Sequence, residues 1–73
     1  MTELPTAPVK RILKKAGAER VSDDAAKALV EGLEKYGTEI SVEAIELTKR
    51  ARRRITKKED VETATELIRS RNE

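Results

Sequence analysis

The densest chemistry in this 73-residue chain is a run of cations: the window Lys49–Lys58 holds seven Lys or Arg and no acid. Cations concentrated at one place are the electrostatic footprint of a polyanion partner. A thinner set lies upstream, where Lys10, Arg11, Lys14, Lys15 and Arg20 face only Glu3 and Glu19. Val21–Val42 is acidic, and so is the tail from Glu59 onward. The net charge is only +2 although 41% of residues are charged, so placement carries more than the total. The ordinary alternative is a solvated helix end, where the C-terminal dipole favours cations. Five basic residues before Thr56 and two after it are more than a helix end asks for.

Other chemistries have little to work with. The chain lacks His and Cys, which removes disulfides, thiol nucleophiles and the usual zinc ligands. There is no Gly-rich phosphate loop and no metal-ligand spacing. Asp23 and Asp24 could suggest paired carboxylates, but neighbours on a helix do not face each other. Neither an enzyme nor a cofactor or metal site is expected. No apolar run approaches the roughly 18 residues of a membrane span, and the N-terminus lacks a signal-peptide core. The expectation is a soluble, intracellular chain with no membrane partner.

Three helical segments must position these charges, and strand signals are nearly absent. The first runs roughly Thr6–Ala16, with Thr6 or a neighbour as cap and Pro8 in the first turn. Its apolar stripe is Val9, Ile12, Leu13 and Ala16, and Gly17 suits the position after its end. Ser22 is the cap of the second, and Asp23 and Asp24 complement its dipole. That helix meets no stop signal for about 29 residues, with apolar positions at Ala26, Leu29, Leu33, Tyr36, Ile40, Ala44, Leu47 and Ala51. Gly32 and Gly37 leave two readings, an unbroken helix with close crossings or a break. The third begins near Thr56, where Thr56-Lys57-Lys58-Glu59 has the capping-box pattern. Val61, Ala64 and Ile68 form its stripe.

The length of the middle helix argues for a partner. About 29 residues span roughly 44 Å, whereas a globule of this size is about 29 Å across. Apolar residues are 37% and the only aromatic is Tyr36, so the chain is poorly equipped to build a core alone. A second copy crossing at the middle would cover the stripe.

Glu3-Leu4-Pro5 with Ala7-Pro8, then Arg11-Ile12 and the run Ala16-Gly17-Ala18-Glu19-Arg20-Val21-Ser22-Asp23-Asp24-Ala25, resembles the N-terminal half of archaeal histones. Glu43-Ala44-Ile45 and Glu59-Asp60-Val61-Glu62 resemble the second half. The resemblance implies an all-α histone fold over residues 1–73 as a single domain, without long tails, in a head-to-tail handshake dimer. Its core would be Leu29, Leu33, Tyr36, Ile40, Ala44 and Leu47. The implied role is architectural: a homodimer binds double-stranded DNA with little sequence specificity, bends it and compacts it into nucleosome-like particles. The implied place is the cytoplasm, on the chromosome.

Carried over residue by residue, the DNA-binding set is Lys10, Arg11, Arg20, Arg53, Arg54, Thr56 and Lys57. Arg20 corresponds to a minor-groove arginine, and Asp60 to an acid that clamps Arg53. An ordinary surface role for Arg20 and a plain dipole role for Asp60 are the alternatives. Contacts between dimers, giving a tetramer or larger assembly on DNA, would fall at Leu47, Arg50, Asp60, Thr63 and Leu67, with core packing the favoured alternative for Leu47 and Leu67. The chain departs from the family there, with Arg50 for a histidine and Thr63 for a leucine. It departs again in the second loop, where Arg54-Ile55-Thr56 exchanges the usual order of threonine and apolar residue, and where Arg52 replaces a common glycine. The alternative function is a protein-interaction module that pairs with a different histone-fold chain.

Overall fold

The computed structural model describes residues 3–72. Among them are three helices and no strand: α1 (Thr6–Lys15), α2 (Asp23–Arg50) and α3 (Lys58–Arg71). This is the expected short–long–short order. Helix α2 has 28 residues and is unbroken at Gly32 and Gly37. A Cβ built on either glycine would meet nothing within 4 Å, so neither marks a close crossing within the chain. The described residues form two compact units that divide at the Lys35–Tyr36 bond.

In the first unit, α1 starts after Pro5 and has no side-chain cap; Thr6 is its first helical residue rather than its cap. Pro8 falls in the first turn, where a missing N–H removes no helical bond. The helix ends in a Schellman motif. Gly17 takes φ +119°, its N–H donates to Lys14 O (3.0 Å), and the Ala18 N–H donates to Leu13 O (3.1 Å). Helix α2 opens as the sequence predicts, with Ser22 Oγ accepting the Ala25 N–H at 3.0 Å. Lys10 Nζ reaches Asp23 Oδ1 at 2.5 Å, tying α1 to the start of α2. Glu34 Oε2 accepts the N–H groups of Glu3 and Leu4. The buried apolar residues here are Val9, Ala26 and Val30.

In the second unit the rest of α2 carries α3. Ala44, Ala64 and Ile68 are buried, together with the polar Thr48 and Asp60. Arg71 Nη2 bonds Glu43 Oε1 at 2.9 Å across the two helices. Three of the six buried apolar residues are alanine, so each unit removes little apolar area from water. Large apolar side chains stay exposed instead, among them Ile12 in the first unit and Val42, Ile45, Val61 and Leu67 in the second.

Candidate functional site

The loop between α2 and α3 is where the cations gather, and its shape is fixed from its own residues. Helix α2 ends in a second Schellman motif: the Arg52 N–H donates to Lys49 O (2.9 Å) and the Arg53 N–H to Thr48 O (3.1 Å). Arg52 takes the left-handed conformation this requires, φ 57°, although it is not glycine.

Asp60 then organises everything between the helices. It is 5% exposed. Its Oδ1 accepts Arg53 Nη2 at 2.7 Å, and its Oδ2 accepts Arg53 Nη1 at 2.8 Å and the Lys57 N–H at 2.9 Å. Thr48 Oγ1 lies 3.0 Å from the same Oδ2. Four donors meet this one carboxylate, three of them at Oδ2. The Arg53 guanidinium, followed by the Lys57 backbone N–H, holds the Asp60 carboxyl well below the usual carboxylate range, against the opposing effect of burial. Asp60 in turn raises the affinity of Arg53 for its proton.

Asp60 also starts α3. The helix has Lys57 as N-cap residue and Asp60 three positions on, so the Asp60 carboxylate caps the Lys57 N–H. This corrects the expected Thr56–Glu59 box. Only half of such a box exists, because an ammonium has no lone pair with which to accept. The Thr56 hydroxyl points elsewhere, 3.0 Å from Thr48 Oγ1. Thr48 has a single hydroxyl proton and lies 3.0 Å from both Asp60 Oδ2 and Ala44 O. Thr48 therefore gives that proton to the charged Asp60 carboxylate, the stronger of the two acceptors, and accepts in turn from the Thr56 hydroxyl. Among the described residues no buried side-chain N or O lacks a partner.

The candidate residues divide accordingly. Arg53 is half-buried and commits both terminal nitrogens, with Nη1 also donating to Ile55 O at 3.1 Å. Arg54, Thr56 and Lys57 stand exposed on the loop it orders, flanked by exposed Arg52 and Lys58. Lys10, Arg11 and Arg20 belong to the first unit; Lys10 is half-buried on Asp23, and Arg11 and Arg20 are exposed. Of the expected dimer core, Ala44 is buried, Leu29, Tyr36, Ile40 and Leu47 are half-buried, and Leu33 is exposed. Arg50, Thr63 and Leu67 are exposed. Sequence reading missed Thr48. Its signal was a hydroxyl one turn beyond Ala44, on the apolar side of α2.

Residues 2–65 match the family described as histone-like transcription factor (CBF/NF-Y) and archaeal histone. The chain belongs to this family. Its three helices are the histone fold, and membership bears out the reading of a non-enzymatic chain. Over 64 residues, 88% of this chain, it is 55% identical to one subunit of archaeal histone HAN1 from Thermococcus zilligii, with 96% of that protein covered. Over the same length and shares it is 52% identical to probable archaeal histone 3 of Methanocaldococcus jannaschii. No helix among the described residues is long and apolar enough to cross a membrane.

Proposed function

We propose that this histone is an architectural DNA-binding protein: one domain, paired with a second copy in a handshake dimer, that binds the backbone of double-stranded DNA, bends it and compacts it on the chromosome. The observation that carries the reading is the basic loop itself. Arg52, Arg54, Lys57 and Lys58 are exposed on a segment that Arg53 and Asp60 hold rigid. DNA presents one charge per about 1.7 Å of axis, and each neutralised phosphate releases counterions. Contacts of that kind position a protein without reading sequence. Arg54 and Lys57 meet phosphate, Arg11, Lys10 and Arg20 add contacts from the first unit, and Arg53 acts as the anchor. Pairing covers Leu33, Val42 and Ile45, which one chain leaves exposed. Assembly beyond the dimer runs through Leu47, Arg50, Thr63 and Leu67, since Asp60 is buried and bonded within its own chain.

Mobility shift of short duplexes at several salt concentrations tests the reading. Affinity falls steeply with salt, and Arg54→Ala or Lys57→Ala each flattens that dependence. Affinity indifferent to salt would sink the backbone mechanism. A second reading is a chain that pairs with a different histone-fold protein; the HAN1 relative, named as one subunit of its histone, supports it. Sedimentation of the purified chain separates the two. A homodimer supports the first, and a chain that folds only with another histone-fold protein supports the second.

A further inference from the structure

Ile55 is 72% exposed, the highest of the large exposed apolar side chains among the described residues. It lies in the middle of the basic loop, between Arg54 and Lys57, in a window without a single acid. Its backbone is held, because Arg53 Nη1 donates to Ile55 O at 3.1 Å while the same guanidinium grips Asp60. The neighbouring polar group is turned inward: the Thr56 hydroxyl meets Thr48 Oγ1 at 3.0 Å. The loop thus directs its hydroxyl toward Thr48 and offers an isoleucine to the outside, flanked along the chain by the exposed Arg52, Arg54, Lys57 and Lys58.

A protein surface that covered Ile55 would have to match the charges of Arg52, Arg54, Lys57 and Lys58. Nucleic acid brings both matching groups together, phosphates for the cations and the sugar and base edges of a groove for the apolar side chain. We propose that Ile55 enters the minor groove of bound DNA as an apolar wedge that loosens a base step and helps set the bend, a positioning role distinct from the phosphate contacts around it. Apolar wedges of this kind kink duplexes at easily unstacked steps, so Ile55 also biases binding toward flexible pyrimidine–purine steps. The inference rests on the DNA-binding reading above.

The experiment compares the wild-type chain with Ile55→Thr and Ile55→Ala on end-labelled duplexes, reading affinity against salt and bend by energy transfer between the ends. Both substitutions keep the charge, so the slope of log affinity against log salt stays unchanged, while affinity falls about tenfold at every salt concentration. The bend decreases, and the advantage of duplexes with central TA steps shrinks. Sedimentation of the same variants without DNA shows an unchanged oligomer. Unchanged bend and step preference in the variants would overturn the wedge. So would an oligomer lost on substitution with DNA contacts otherwise intact, which would assign Ile55 to a protein interface. Failure of the wild-type chain to bind DNA would instead defeat the underlying reading.

Discussion

Arg53 closes two hydrogen bonds onto Asp60, at 2.8 and 2.7 Å, from seven residues earlier in the chain. The pair joins the end of α2 to the first turn of α3 and makes the basic loop a fixed object. Its carboxylate also caps the Lys57 N–H, so one side chain starts a helix and anchors a loop. Because Asp60 titrates well below the ordinary aspartate value of 3.8, the folded state binds its proton less readily than the unfolded chain does. Its stabilising contribution is complete above the unfolded value and is lost as pH falls below about 5 toward the folded value. Thermal unfolding between pH 7 and pH 3 should therefore show Tm falling on acidification. Asp60→Asn should be less stable at pH 7 and fall less steeply. Parallel profiles would remove Asp60 from the acid response.

Thr48 supports the same carboxylate from inside α2. It is 3% exposed and links Thr56 Oγ1 to Asp60 Oδ2. Thr48→Val keeps the shape and removes the hydroxyl, leaving the Thr56 hydroxyl without its acceptor. The expected loss is about 1–2 kcal/mol in urea unfolding. Adding Thr56→Val should recover part of it, because removing both partners of a hydrogen bond costs less than orphaning one. A double variant as unstable as the two single losses summed would mean that the hydroxyls do not interact.

The reach of the sequence differs between elements for physical reasons. Ser22, Asp23 and Gly17 announce helix ends through local chemistry, and the unbroken period across Gly32 and Gly37 announces α2. The order of cations in Lys49–Lys58 is equally plain. The inward turn of Thr56 is not legible, because it depends on a hydroxyl at Thr48 and on closure by Arg53, contacts made across a loop. The Asp60 cap displaced the Thr56 cap because a carboxylate three residues into α3 can serve Lys57 and Arg53 together. The clamp itself came only through family resemblance; spacing alone left Asp60 open between two roles.

Arg52 hides its conformation behind its identity. The second Schellman motif requires a left-handed residue, and here φ is 57° on an arginine. A side chain in that region costs on the order of 1 kcal/mol relative to glycine. Arg52→Gly should therefore raise stability by about 1 kcal/mol in urea unfolding. The same change removes an exposed cation and should weaken DNA binding at low salt. An arginine placed against its own backbone preference is then explained by function. A variant that is destabilised would show that the Arg52 side chain stabilises the fold more than its backbone strains it.

Gly32 offers the complementary case in mid-helix. It takes an ordinary helical conformation, is exposed, and would place a Cβ in open space. Glycine there only adds unfolded-state freedom that folding must remove. Gly32→Ala should stabilise the protein by about 1 kcal/mol, read as a higher urea midpoint with an unchanged slope. The outcome also reports on pairing. If a second copy packs tightly against this turn of α2, the added methyl destabilises the dimer and lowers the midpoint in a concentration-dependent way. A higher midpoint places the helix crossing away from Gly32.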